Sequence, residues 1–250
     1  MRKFRLTTLA ILMGLFVVYS CIEDKKENIA VELPVEERLE LAKKYDNAGG
    51  FSEGLARVEL NGKCGFIDKT GKQVIPCVYD YAWNFSEGLA RVKLNGKEGF
   101  IDKTGKQVVP CVYDYAWNFS EGLARVKLNG KCGFIDKTGK QVIPCVYDLA
   151  WDYSEGLACV ELNGKLGFID KTGKQVIPCV YDYAWYYSEG LAHVKLNGKW
   201  GFIDKTGKQV VPCVYDDVRY FSAFDIIVAI VGESEENQVR YYYDRDGNSL

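Results

Sequence analysis

The chain has 250 residues, 14% of them aromatic, with nine cysteines, one histidine and a formal net charge of −2. No basic block follows Cys21, which argues against a nucleic-acid partner, because duplex binding rests on a clustered positive face. With a single imidazole and no Cys-x-x-Cys spacing, the usual zinc ligand sets cannot be assembled locally, and neither metal nor cofactor is expected.

Residues 1–20 are organised as a signal peptide. Arg2, Lys3 and Arg5 form a positive start, Leu6 to Val18 an apolar run, and the small Ser20 precedes Cys21. Val18-Tyr19-Ser20-Cys21 resembles the lipobox of bacterial lipoproteins, which implies acylation of Cys21 and a membrane anchor at the cell envelope. A simple secreted protein and an uncleaved anchor are the alternatives, although the apolar run is shorter than the ~20 residues a bilayer span needs. Residues 21–33 are polar and mixed in charge and form a tether, which as flexible coil spans roughly 20 Å. Residues 34–50 predict a short capping helix: Pro34 suits a first position, Glu36 and Glu37 the start, Lys43 and Lys44 the end, and Val35, Leu39 and Ala42 its apolar face.

A unit of about 34 residues is then written five times, at 51–84, 85–118, 119–152, 153–186 and 187–220, and residues 221–250 hold a degenerate sixth copy. Phe51-Ser52-Glu53-Gly54-Leu55-Ala56 opens the first, and Tyr242-Tyr243-Asp244-Arg245-Asp246-Gly247-Asn248 echoes Phe66 to Lys72 in the last. Units this short share a core by stacking, and atypical terminal copies are expected of caps. The period also suits a helical tetratricopeptide, but a proline and several glycines per copy exclude long helices. The expectation is an all-β tandem array of three-stranded antiparallel units, open and elongated, with a closed propeller-like ring of about six units as the alternative.

In the first copy the strands are Leu55–Leu60, Cys64–Asp68 and Gln73–Tyr79. Leu60-Asn61-Gly62-Lys63 and Lys69-Thr70-Gly71-Lys72 each place Gly just before Lys and both suit a three-residue loop closed by a glycine bulge, so that Glu59 faces Lys63 and Asp68 faces Lys72. On that register Ala56, Val58, Cys64, Phe66, Val74 and Pro76 share one face, and Leu55, Arg57, Ile67, Ile75 and Cys77 the other. Tyr79, Tyr81, Trp83 and Phe85 alternate with polar or small residues, as in an extended joint between copies.

The unit Phe-Ser-Glu-Gly-Leu-Ala, Asn-Gly-Lys-x-Gly-Phe-Ile-Asp, Val-Ile-Pro-x-x-Tyr-Asp resembles the bacterial WG (Trp-Gly) repeat from Phe51 to about Tyr220. The resemblance implies a β-rich, often exported protein with no general enzymatic activity. Only Trp200 supplies the name's Trp; its phase otherwise holds Cys64, Glu98, Cys132 and Leu166. A phase that accepts Glu98 is not expected to be buried in every copy, since an unpaired buried carboxylate is costly. Gly65, Gly99, Gly133, Gly167 and Gly201 follow it without exception, which points to a backbone role.

Candidate chemistry is sparse. Cys77, Cys111, Cys145, Cys179 and Cys213 hold one phase and are expected to pack as small hydrophobes. Disulfides Cys64–Cys77 and Cys132–Cys145 are the alternative, available to a two-residue Thr-Gly turn. His193 shares its phase with Arg57, Arg91, Arg125 and Cys159 and is expected to face solvent. Glu53, Asp68 and Asp80 with their copies fall in or beside turns, where turn chemistry accounts for them without catalysis, and no catalytic residue is assigned. The candidate binding surface is aromatic: Tyr81, Trp83, Tyr115, Trp117, Trp151, Tyr183, Trp185, Tyr186 and Trp200, either cementing the copies or contacting a ligand. The function expected is a non-enzymatic, lipid-anchored envelope protein that binds or scaffolds a protein. Envelope glycan or peptidoglycan binding through the Trp and Tyr residues is the alternative.

Overall fold

The computed structural model describes residues 33–232 and 237–250, so the signal segment, Cys21 and nearly all of the tether lie outside the described residues. Helix α1 (Val35–Lys44) precedes 23 strands in six antiparallel sheets, each an open meander in which neighbours in sequence are neighbours in space. Sheet 1 holds β1 (Asn47–Ser52), β2 (Leu55–Leu60), β3 (Lys63–Asp68) and β4 (Gln73–Tyr79). Sheet 2 holds β5 (Tyr81–Ser86), β6 (Leu89–Leu94), β7 (Lys97–Asp102) and β8 (Gln107–Tyr113), and sheet 3 holds β9 (Tyr115–Ser120), β10 (Leu123–Leu128), β11 (Lys131–Asp136) and β12 (Gln141–Tyr147). Sheet 4 comprises β13 (Leu149–Ala150), β14 (Leu157–Leu162), β15 (Lys165–Asp170) and β16 (Gln175–Tyr181). Sheet 5 comprises β17 (Tyr183–Ala184), β18 (Leu191–Leu196), β19 (Lys199–Asp204) and β20 (Gln209–Tyr215), and the three-stranded sheet 6 comprises β21 (Asp217–Phe221), β22 (Ile226–Val231) and β23 (Val239–Asp244). The all-β tandem organisation is the one expected, with one refinement. The segment expected to join copies is a fourth strand, and it opens the next sheet rather than ending the previous one.

The two turns of each copy differ. Leu60 pairs with Lys63 across a two-residue Asn61-Gly62 loop, both residues having positive φ (53° and 71°), the signature of a type I′ hairpin. The three-residue loop expected here is therefore corrected: Glu59 faces Cys64, not Lys63. At the second turn only Gly71 has positive φ; the Gly71 amide donates to the Asp68 carbonyl and the Asp68 amide to that of Lys72, as a bulged three-residue loop requires. The first turn moves β3 by one residue, which exchanges its faces. Ala56 and Val58 now lie opposite Ile67 and Gly65, while Arg57 lies opposite Phe66.

A close approach fixes the Gly phase. A Cβ on Gly65 would lie 2.5 Å from the Ile75 carbonyl oxygen, and Gly99, Gly133, Gly167 and Gly201 stand equally close to the carbonyl ten residues on. These glycines admit a bulge in the fourth strand, where the pairing from Cys64–Tyr79 to Phe66–Ile75 changes register.

The chain forms two compact units, one ending at Cys111 and the other running from Val112 to Leu250. In the first, Leu55, Cys64, Phe66, Ile75 and Tyr79 of sheet 1 pack on Ala82, Phe85, Ala90, Val92 and Ile101 of sheet 2. The opposite face of sheet 1 (Ala56, Val58, Ile67) packs on Tyr45 and on Leu41 of α1. Helix α1 thus sits at the first sheet as a cap, but through Leu41; Val35 and Leu39 are exposed, so its expected apolar face is corrected. In the second unit the same joint recurs between sheets 3 and 4, 4 and 5, and 5 and 6. A ring seals three of these joints edge-on, Phe66 against Phe85, Phe134 against Tyr153 and Phe168 against Tyr187, with centroids 4.8–4.9 Å apart, and Phe202 meets Tyr220 at 6.5 Å in the fourth. Fully burying such a ring stabilises by about 1.5–3 kcal/mol, and no single sheet can do so alone.

Candidate functional site

The repeated carboxylates are occupied by structure. Asp68 Oδ1 accepts from the Thr70 amide and hydroxyl and from the Lys72 amide, and the Thr70 hydroxyl above all holds its carboxyl below the usual range. Asp182, the residue linking β16 to β17, pairs through Oδ1 with Lys165 Nζ at 2.6 Å while Oδ2 accepts from the Gly198 amide, which ties the Asn-Gly turns of sheets 4 and 5 to the link between the sheets. Glu155 reaches from sheet 4 to sheet 5, accepting from the Gly190 amide at 2.9 Å and pairing with Lys205; that lysine is the main reason its carboxyl lies below the usual range. Ser154 Oγ donates to the Tyr187 carbonyl beside it. The Phe/Tyr-Ser-Glu-Gly motif is therefore a latch between successive sheets.

All eight described cysteines are free thiols. Cys64 pairs with Tyr79 across the ladder, so Cys77 is not its partner, and the phase-locked sulfurs of Cys77, Cys111, Cys145 and Cys179 accept from the glutamine four residues earlier. Burial pushes the Cys159 thiol up to about 12, which leaves it unreactive as a nucleophile. Among the described residues no three His, Cys, Asp or Glu side chains converge as a metal set.

Of two expectations about this face, one holds at a single copy and one is corrected. The phase of Trp200 is half-buried there, as a phase not buried in every copy requires, but Glu98 itself is 4% exposed and Cys64, Cys132 and Leu166 are buried. The carboxylate is tolerated because Arg91 Nη1 stands 3.9 Å away. His193 does not face solvent either: its ring lies between Trp200 (4.2 Å) and Phe202 (5.1 Å), and its buried Nε2 has no hydrogen-bond partner. Burial pulls its pKa below 6.5, with Asp217 opposing. Three other members of this phase reach the next sheet: Arg57 over the Tyr81 ring, Arg125 onto the Ala150 carbonyl and Asp152, Cys159 onto the Ala184 carbonyl. Both side chains are buried by neighbours met through cross-strand pairing: Arg91 beside Glu98, and Trp200 and Phe202 around His193.

The aromatic candidates divide into two groups. The third ring of each series (Phe85, Phe119, Tyr153, Tyr187) is buried. Tyr81, Tyr115, Trp151, Tyr183, Trp185 and Tyr186 are 38–56% exposed, and Trp83, Trp117 and Trp200 are half-buried. Trp83 and Trp117 are held by arginine, with Arg91 3.5 Å and Arg125 3.9 Å from the ring centroids.

Sheet 5 gathers the largest set. Tyr183 pairs with Lys195 and Lys195 with Trp200, so three side chains stand side by side across β17, β18 and β19. The Tyr183 ring meets Trp185 at 5.6 Å and Trp200 at 5.7 Å, both edge-on, and Lys195 Nζ lies 5.1 Å from the Trp200 centroid. With Asp182 and Gly198 these residues line an open groove of about 590 Å³. In sheet 4 the same row reads Leu149, Glu161 and Leu166, and in sheet 1 Asn47, Glu59 and Cys64. The sequence identified the rings of this groove; it missed Lys195, whose membership depends on cross-strand pairing.

The WG containing repeat family matches residues 39–64, 65–97, 99–132, 133–165, 167–200 and 200–223. The chain therefore belongs to the WG-repeat family. No curated protein matches it. Among solved structures it is similar to a eukaryotic initiation factor (12% identity, 82% of this chain and 64% of that one, TM-score 0.47). It is also similar to Kluyveromyces lactis Hsv2 (7%, 79% and 75%, TM-score 0.42) and to the extracellular domain of a one-component system of B. thetaiotaomicron (11%, 74% and 32%, TM-score 0.37). The chain thus spans less than two thirds of the initiation factor and about a third of the B. thetaiotaomicron domain.

Proposed function

We propose that this WG-repeat protein is a non-enzymatic, exported component of a bacterial cell envelope, anchored through a lipid on Cys21, whose repeat surface binds a partner protein. The anchor rests on the charged start, apolar run and Ser20-Cys21 junction of residues 1–21. The binding reading is carried by one observation: Tyr81, Tyr115 and Tyr183 occupy the first strand of their sheets at the same phase and are 42–55% exposed, although a leucine at that phase, Leu149, leaves the sheet intact. Rings that the fold does not need, presented repeatedly, suit an extended partner that makes several equivalent contacts. The carboxylates a hydrolase would recruit are committed to turns and latches, in keeping with a role without turnover.

The test is co-purification from envelope extracts, with wild type against a variant carrying leucine at 81, 115 and 183. A stoichiometric partner captured by wild type and lost from the folded variant supports the reading; equal capture by both removes the tyrosines from it. Metabolic labelling with a lipid analogue, lost in Cys21→Ser, checks the anchor. A second reading, glycan binding, is favoured by the groove of sheet 5, where exposed rings and an ammonium group meet.

A further inference from the structure

We propose that the Tyr183–Trp185–Lys195–Trp200 groove of sheet 5 is a binding site for an acidic saccharide, a sugar unit carrying a carboxylate; this rests on the glycan reading above. The class follows from what lines the groove. The face of an indole is electron-rich, and the axial C–H groups of a pyranose carry the complementary partial charge, so an exposed Trp face is a platform for a sugar ring. Trp185 is 49% exposed, and Tyr183, at 42%, braces it edge-on. The volume, about 590 Å³, is suited to one or two sugar units.

The charge selects among sugars. Lys195 makes no ion pair among the described residues, its ammonium lying over Trp200. The one carboxylate of the groove, Asp182, is hydrogen-bonded by Lys165 and by the Gly198 amide, and Lys195 acts on it only as a weaker, more distant charge. Lys195 is thus the charge left for a ligand, and it asks for an anion. The same arrangement argues against a quaternary ammonium ligand, since a cation already occupies the Trp200 face and Asp182 is neutralised. The site is confined to one copy. The row holds glutamate in place of the lysine at Glu59 and Glu161, and no other copy has Trp at the phase of Trp200. His193 fills the space beneath Trp200, and Trp200 is half-buried where its counterparts are buried.

The repeats themselves supply variants that the fold accommodates: Trp200→Leu installs the residue of sheet 4, and Lys195→Glu that of sheets 1 and 4. The experiment is a tryptophan-fluorescence and calorimetric titration of the full chain with digalacturonate, against cellobiose as a neutral disaccharide. Digalacturonate is expected to bind at least tenfold more tightly than cellobiose and to weaken as salt rises, because the added contact is ionic. Lys195→Glu should abolish that preference, and Trp200→Leu should weaken both sugars, with thermal melts reporting that each variant is folded. Equal binding of the two sugars, or digalacturonate binding indifferent to salt and to Lys195→Glu, overturns the acidic assignment while leaving the glycan reading in place. Failure of wild type to bind either sugar overturns both. Should a variant not fold, the salt dependence of wild type decides alone.

Discussion

Sheets 2 and 5 are built on one plan and use it differently. In sheet 2 the phase of Trp200 holds Glu98, buried and facing Arg91, and that arginine in turn covers the Trp83 ring at 3.5 Å. The aromatic is spent inside the molecule. In sheet 5 the arginine is His193, which occupies less space, and the glutamate is Trp200; Trp185 is left 49% exposed and Lys195 unpaired among the described residues. The two sheets differ at four positions, Asn84/Tyr186, Phe85/Tyr187, Arg91/His193 and Glu98/Trp200, and the last two replace a closed ion-pair joint by an open aromatic groove. A repeat protein can vary one row while the Gly close approach, the Asp turn and the Ser-Glu latch hold the rest.

The frame should therefore be costly to alter and the row cheap. The largest effect is expected at the joints: Phe168→Ala removes a fully buried ring set edge-on against Tyr187 and should cost about 3–5 kcal/mol by denaturant unfolding. Next comes Gly167→Ala, whose Cβ would meet the Ile177 carbonyl oxygen at 2.5 Å; about 1–3 kcal/mol is expected. Gly156→Ala sharpens that comparison, since Gly156 has φ of +87° but open space around it and should lose only about 1 kcal/mol. Equal losses at the two glycines would show that close approach is not what fixes the Gly phase.

His193 predicts a pH effect. Its pKa is depressed by burial, so between the folded value and 6.5 the unfolded chain binds the extra proton, and stability falls as pH drops below 6.5. It is the chain's one histidine, and the carboxylates for which a shift is resolved lie at or below 4.5, so a melt series from pH 7.5 to 5 isolates it. His193→Cys, the residue of sheet 4 at this phase, should flatten the series; an unchanged slope would place the titration elsewhere. The smallest effect is expected for Trp200→Leu, within about 1 kcal/mol of wild type, because sheet 4 holds leucine there.

Much of the frame was legible in the sequence. Strand positions, the second turn and the Gly phase follow from punctuation and periodicity. The first turn was legible in principle: Asn at position 61 tolerates a left-handed backbone, whereas the β-branched Thr70 does not, so Asn-Gly closes a two-residue loop and Lys-Thr-Gly a three-residue one. Treating them alike displaced the register of β3 by one residue. The burial of Glu98 and His193 was not legible for another reason: it depends on Arg91 beside the carboxylate and on Trp200 and Phe202 around the imidazole, neighbours set by cross-strand pairing. The groove could be read only in part, because Tyr183, Lys195 and Trp200 lie on three strands and meet through pairing, not spacing.

Within each unit a sheet completes its interior only against a neighbouring sheet. The most direct test is thermal unfolding, followed by circular dichroism, of the excised segment 149–182, which carries sheet 4 without its neighbours. With Leu157, Phe168 and Ile177 deprived of Ala192, Val194 and Ile203, the segment should show no cooperative transition at any temperature. A sigmoidal melt at micromolar concentration from a monomeric segment would contradict the claim.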